Sequence, residues 1–314
     1  MFSPNERYII VNYHYVRDPD SSLSGIFPCP VDEFRRQIEF LSERYKIVSV
    51  EEVVSAAENE EKRSYCALTF DDGLKDQYDN AFPILKKYGA RGTFFIIGCV
   101  CEGALPAAHA LHVLMSSESV SSLVRTFQEV VAAEFPSQKD EYPIPSDHRL
   151  TSKRMHEDIL TANFKETLMQ IPGDLQTAFL GTALSRSQKE PKALNQMLFM
   201  KKEEIREIQK SGMAIGSHSY AHAPLYEKQE SEVRDDVERA KEILSGICEE
   251  ISPVFSYPHG RADEMAHKVL QEEGFRYAVT IERRGVRKGD LPYLIPRYDA
   301  GDLQDFCGGL RSTV

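Results

Sequence analysis

The chain has 314 residues, with 38 Lys plus Arg against 49 Asp plus Glu, a net charge of −11. That balance argues against a nucleic-acid backbone or an anionic membrane surface as the main partner, because binding to either is built on cationic side chains. A hydrophobic content of 41%, with 16 Phe and 14 Tyr, excludes global disorder and supplies a sizeable core. In chain order, Tyr8–Tyr15 is β-branched and aromatic and reads as a buried strand. Val31–Arg44 sets Phe34, Ile38 and Leu41 at helical spacing, with Arg and Glu opposite. Lys46–Val50 reads as a short strand and Val53–Glu58 as a short helix. Tyr65–Phe70 is an apolar strand that stops at Asp71-Asp72-Gly73. Gln77–Tyr88 places Tyr78, Phe82 and Leu85 on one face, Pro83 marks a first turn or a kink, and Gly89 closes the helix. Thr93–Ile97 is again a buried strand.

From Ala104 to Met200 strand signals stop and amphipathic helices take over, as in Val120, Leu123, Val124, Phe127, Val130 and Val131. Pro136–Thr151 is polar and turn-rich, a loop. Residues 105–199 are therefore expected to be a helical insertion in a domain made of 1–104 and 200–314. A lid over a site and a scaffold or oligomer contact are both open to it. Alternation then resumes: helix Lys202–Lys210 ended by Gly212, strand Met213–Gly216, helix Glu230–Cys248, strand Val254–Tyr257, helix Glu264–Glu273, strand Phe275–Ile281. Repeated strand–helix units predict an α/β fold with a mostly parallel sheet, and about seven of them suggest a closed barrel.

Six cysteines (Cys29, Cys66, Cys99, Cys101, Cys248, Cys307) are scattered without a C-x-x-C pair, which suits a reducing compartment. The apolar run Tyr8–Val11 is broken by Asn12 and His14, and no small-residue cleavage site follows. No run approaches the ~18 apolar residues of a membrane span. The expectation is a soluble, cytoplasmic protein.

Three polar clusters sit where apolar strands end, which is where α/β barrels carry their chemistry. In Thr69-Phe70-Asp71-Asp72-Gly73, adjacent carboxylates repel unless a cation lies beside them; a helix cap is the plain alternative. In Gly216-Ser217-His218-Ser219-Tyr220-Ala221-His222, two histidines at i and i+4 would share one helix face and can bind one metal. Alone that spacing is weak. Joined by a carboxylate, it becomes a three-ligand set with a position left for water, the arrangement of a hydrolytic metal site. In Phe255-Ser256-Tyr257-Pro258-His259-Gly260-Arg261, a turn could aim a backbone N–H at that site.

Taken together, Leu68–Gly73, Gly92–Ile96, Ile215–His222 and Tyr257–Gly260 resemble the polysaccharide deacetylases of carbohydrate esterase family 4. The resemblance covers roughly residues 6–104 and 200–300. It implies a distorted (β/α)7 barrel, a divalent metal (zinc first, cobalt or nickel next) and an N-acylated sugar substrate. Carried over by position, Asp71 is the catalytic base and Asp72, His218 and His222 are the metal ligands. Tyr257, Pro258 and His259 form the substrate and oxyanion element, the backbone N–H of Tyr257 steadying the oxyanion.

The chain departs from the commonest family pattern in three places. No histidine follows His267 to serve as a C-terminal acid, no Trp exists, and Ser256 stands where an Arg usually steadies the base. A circularly permuted subgroup of biofilm-polysaccharide deacetylases carries a Tyr-His at the end of its first strand. Asn12-Tyr13-His14-Tyr15-Val16 resembles that motif and makes His14 the candidate acid, against a plain strand-end histidine. Arg297, in a late Pro-Arg element, and Arg261 compete to replace the missing Arg; a surface salt bridge is the plain alternative for either. His109, His112, His148, His156 and His267 fall outside the motifs and read as surface or packing residues. The implied activity is removal of an acetyl or formyl group from an amino sugar of a surface glycan or its precursor. An allantoinase-like amidase on a small non-sugar amide and a degenerate sugar-binding module are the competing readings.

Overall fold

The computed structural model describes residues 5–303 apart from 152, 153, 156 and 227; His156 and Cys307 lie outside the described residues. Among the described residues there are eight strands: β1 Tyr8–Tyr13, β2 Lys46–Ile47, β3 Tyr65–Phe70, β4 Thr93–Ile96, β5 Ala214–Ser217, β6 Val254–Ser256, β7 Tyr277–Val279 and β8 Tyr298–Asp299. All pairings between them are parallel, in the order β7-β6-β5-β4-β3-β1-β8, with β2 beside the first half of β3 and β4 beside its second half. Such strands are covered on both faces, and this is why they read as continuous apolar runs rather than alternating ones.

The sheet curls into the distorted (β/α)7 barrel. Ile295 bridges to Val279 of β7, and three residues later Tyr298 pairs with Val11 of β1. The Thr280 N–H donates to the Ile295 carbonyl at 2.8 Å and the Ile295 N–H to the Ala278 carbonyl at 2.9 Å. One extended stretch thus reaches both edges of the sheet, and Arg297 lies in the middle of it.

Helices α1 (Val31–Arg44), α2 (Val50–Glu58) and α3 (Phe82–Tyr88) follow the first strands. Val50 belongs to α2 and not to the preceding strand. The Ser49 hydroxyl accepts the Glu52 N–H at 3.2 Å while the Glu52 carboxylate accepts the Ser49 N–H at 3.0 Å, a reciprocal cap that overrides the β preference of Val-Ser-Val. Before α3 the chain makes a π-helical turn over Gln77–Ala81, and Gly89 ends α3 at φ 61°.

A second compact unit comprises Leu105–Leu194 together with Pro19–Phe27. Its helices are α4 (Ala107–Met115), α5 (Val120–Glu134), α6 (Ile159–Leu168) and α7 (Gly173–Arg186); α8 (Pro191–Leu198) begins in this unit and from Asn195 belongs to the first. Leu114, Leu123, Phe127, Phe164, Leu175 and Phe179 form its core, and Phe179 meets both Phe127 and Phe164 edge-on at 5.7 Å. Pro19–Phe27 joins it through the Gly25 N–H, which donates to the Ser116 hydroxyl at 3.0 Å. The barrel unit continues with α9 (Lys202–Lys210), α10 (Glu230–Ser245) and α11 (Glu264–Glu272). Among the described residues no helix is long and apolar enough to cross a membrane.

Candidate active site

Strand alternation places the first acid. Tyr13, Phe70 and Phe94 lie side by side on neighbouring strands, with ring centroids 5.3 and 4.5 Å apart, and Phe34 of α1 packs edge-on against Tyr13. Phe70 therefore faces the helices, so Thr69 and Asp71 face the barrel interior. Asn12, the register partner of Thr69, shares that face.

Asp71 is buried and fully engaged. Arg297 donates to both its oxygens, Nη1 to Oδ1 at 2.9 Å and Nη2 to Oδ2 at 2.8 Å. The Ser256 hydroxyl donates to Oδ1 and the Asn12 amide to Oδ2, each at 3.1 Å. Burial alone would raise the Asp71 pKa. The charge on Arg297 outweighs it, with help from His218, the Arg297 hydrogen bonds and His14, and takes the pKa down to about 2. Ser256, the residue standing where an Arg is usual, thus touches Asp71 itself and also accepts from Arg297 Nη2 at 3.1 Å. Arg261 lies elsewhere, its guanidinium 4.1 Å from the centre of the Tyr226 ring.

Asp72 and Gly73 follow with φ of 78° and 71°, and this left-handed pair turns the chain off the strand. Such a conformation costs a non-glycine residue about 1–3 kcal/mol, and it clusters at functional sites. His218 and His222 also come together, but not on a helix. Residues 218–222 leave β5 as an irregular loop, with Ser219 and His222 at φ 63° and 56°. Gly216, one turn of pleat earlier, lets Phe95 approach, since a Cβ there would lie 2.5 Å from its ring. The expectation of a shared helix face is therefore corrected: the i, i+4 spacing works through a folded loop.

Asp72, His218 and His222 offer one carboxylate oxygen and two imidazole nitrogens, all within 4.8 Å of one another. His218 Nε2 lies 3.4 Å and His222 Nε2 3.3 Å from Asp72 Oδ1. Ligands of a tetrahedral zinc ion, each about 2.1 Å from it, would stand about 3.4 Å apart. His218 Nδ1 sits 2.8 Å from the Ser256 carbonyl, an acceptor, so Nδ1 carries a proton and Nε2 is the nitrogen turned toward Asp72. Burial disfavours the imidazolium of His218, but the charges of Asp71 and Asp72 outweigh it and raise its pKa above the ordinary value. In donor type, spacing and charge, the set fits a divalent cation.

His14, at the end of β1, is half-exposed, with Nε2 4.0 Å from Asp71 Oδ2. Its carbonyl and that of Asp71 both accept from the Gln77 amide, so the π-helical turn ties the two strand ends together. Tyr257 is buried in the cluster that holds Val233, Val237 and Phe255, its ring 5.5 Å from that of Phe255. Its N–H points at the Val279 carbonyl at 3.4 Å, near the outer limit of hydrogen bonding. Pro258 is buried, and His259, at φ 58°, sets its ring 4.9 Å from that of His222.

The pattern of the polysaccharide deacetylase family matches residues 58–123 and 175–278, more than half of the chain. The chain belongs to that family. Both matched stretches of this deacetylase run into the helical segment, which the sequence motifs had left outside the resemblance, whereas His14 and Arg297 fall beyond them. Members of the family are N-deacetylases that hydrolyse amide bonds. A protein of Bacillus subtilis (strain 168), YxkH, named provisionally as a polysaccharide deacetylase, is 21% identical over 92% of this chain and 69% of its own length. The poly-beta-1,6-N-acetyl-D-glucosamine N-deacetylase of Staphylococcus epidermidis is 36% identical, but over only 28% of this chain and 35% of its own. Among solved structures, the Streptococcus pyogenes deacetylase PplD in complex with acetate shares the fold at a TM-score of 0.60 and 16% identity, covering 96% of this chain and 98% of that one. IcaB from Ammonifex degensii does so at 0.59 and 16%, covering 97% and 98%.

Sequence reasoning passed over Asn12, Gln77 and Asp236, the last an α10 carboxylate that accepts the Tyr220 and Ala221 N–H groups between the two histidines. Asn12 had a signal, a polar residue inside an apolar strand run. Gln77 and Asp236 had none, because each reads as an ordinary polar position on a helix.

Proposed function

We propose that the chain is a metal-dependent hydrolase that removes an N-acyl group, acetyl or formyl, from an amino sugar of a surface glycan or its precursor. The observation that carries this reading is the buried Asp71, locked ionised by Arg297, next to the converging Asp72, His218 and His222. Asp72, His218 and His222 would hold one divalent ion, zinc first by donor type, with cobalt or nickel also compatible. When bound, that ion would polarise the scissile carbonyl and acidify the attacking water.

Asp71 takes the proton from that water. Four donors already occupy its oxygens. The Ser256 hydroxyl, a neutral rotor that can turn away, is the one that yields most readily. His14, on the open side of Asp71, gives a proton to the leaving amine. The Tyr257 N–H would steady the oxyanion by giving up its long bond to Val279. Cytoplasmic action on a precursor belongs to the same proposal, which the scatter of the cysteines without a C-x-x-C pair favours.

The test is amine release from a panel of N-acetylated and N-formylated amino sugars, their oligomers and small cyclic amides, comparing the parent protein with Asp71→Asn. Turnover of a sugar by the parent alone supports the proposal. Turnover of the cyclic amides alone would make the chain an amidase, and sugar binding without release from either protein would make it a binding module.

A further inference from the structure

The loop from His218 to His222 carries two of the three proposed ligands yet belongs to no helix or strand. Two of its residues adopt left-handed backbone, so its shape must be imposed from outside. The imposition is visible. The Ser219 and Tyr220 carbonyls accept the N–H groups of Gly98 and Cys99, both at 2.9 Å. From the other side, Asp236 of α10 accepts the Tyr220 N–H on Oδ1 at 2.8 Å and the Ala221 N–H on Oδ2 at 2.9 Å. The Ser219 hydroxyl bonds to the same carboxylate while its oxygen accepts the His222 N–H at 3.0 Å. One carboxylate therefore fixes all three residues that separate the two histidines.

We propose that Asp236 is the positioning residue of the metal site: it sets the separation and aim of His218 and His222 without touching the ion. The inference rests on the metal-site reading above. Its anchor is firm, because α10 buries Val233, Val237, Ala240 and Leu244 along one face and so holds Asp236 at a fixed height beside the loop. The chemistry is specific as well. Two adjacent N–H groups need two acceptor oxygens on one planar group, which a carboxylate supplies. An asparagine would keep one acceptor and turn its NH2 against the second N–H; an alanine would keep neither; a glutamate would keep both.

The experiment measures zinc partition between the full chain and a chromophoric chelator near neutral pH. It compares the parent with Asp236→Ala, Asp236→Asn and Asp236→Glu, each shown to be folded by its melting curve. Asp236→Ala is expected to weaken zinc binding about 10–100-fold, Asp236→Asn less, and Asp236→Glu least, as befits a partner outside the ligand set. Folded Ala or Asn variants that hold zinc as tightly as the parent would overturn the proposal, since a purely structural role would lower only the melting temperature. If the Ala variant does not fold, the Asn and Glu variants decide by the same criterion. A parent that binds no zinc would overturn the metal-site reading itself, and this inference with it, an outcome separate from equal binding across the series.

Discussion

Arg297 and Asp71, 226 positions apart in the chain, meet end to end with two parallel hydrogen bonds of 2.9 and 2.8 Å, and both side chains are almost fully buried. A fork meeting a carboxylate in this way is specific to arginine, since a lysine offers a point charge and cannot make both bonds. If Asp71 is the base, Arg297→Lys is therefore expected to lower kcat by about 100-fold through its misplacement, with little change in KM. Arg297→Ala leaves a buried carboxylate without its cation and should also cost about 3–5 kcal/mol of stability. Steady-state kinetics and melting curves of the two variants check both halves, and unchanged kcat in Arg297→Lys would remove Arg297 from the mechanism.

His14 offers the opposite profile. Its side chain is 43% exposed and makes no deep packing contribution, yet it stands over Asp71. If it delivers the proton to the amine, His14→Ala should lower kcat by about 10²–10⁴-fold and leave the melting temperature nearly unchanged. Its backbone carbonyl, which accepts from Gln77, survives the substitution. Unchanged turnover would reduce His14 to that backbone role.

The strands and the Asp71-Asp72 and His218–His222 clusters were legible because parallel strands leave long apolar runs that stop abruptly at polar residues. The positions of Asp72 and His222 relative to one another were not. They depend on left-handed backbone at Asp72, Ser219 and His222, which sequence periodicity cannot register. Arg297 could be named as a candidate from its Pro-Arg setting, but its choice over Arg261 needed the stretch that bridges β7 and β1. Asn12 acts only because register sets it beside Thr69, where its Oδ1 accepts from Arg297 Nη1 at 2.8 Å. Such non-local relations are set by pairing, and pairing is not written in any one segment.

If Asp72, His218 and His222 hold zinc, the ion should stabilise the folded chain by mass action, about 2.7 kcal/mol at a hundredfold excess over its Kd. Chelator treatment should abolish turnover and lower the melting temperature, and added zinc should restore both. Asp72→Asn and His222→Ala should lose the zinc-dependent rise in melting temperature, while Asp71→Asn, which starts from a lower melting temperature because it leaves Arg297 unpaired, keeps that rise and loses turnover. A melting temperature indifferent to zinc in the parent would remove the ion from the site.

Asp76 opens the π-helical turn that holds Gln77, and its carboxylate oxygens are buried. Burial pushes its pKa up to about 7, against weaker pulls from the Val16 N–H and the charge on Arg17. In the unfolded chain the same group ionises near its ordinary value of 3.8. Between those two points the unfolded chain binds fewer protons than the folded one, so stability falls as pH rises, and the loss is complete above about 7. At 1.4 kcal/mol per pH unit the ceiling on this loss is about 4 kcal/mol. Asp76→Asn replaces the group with a neutral amide of the same shape. It should leave the melting temperature unchanged near pH 4, where the native Asp76 is already neutral, and raise it by about 3 °C or more near pH 8. Melting curves of both proteins across that range are the measurement. Parallel curves would mean that Asp76 ionises in the fold as freely as in water, and that the turn carrying Gln77 bears no such burden.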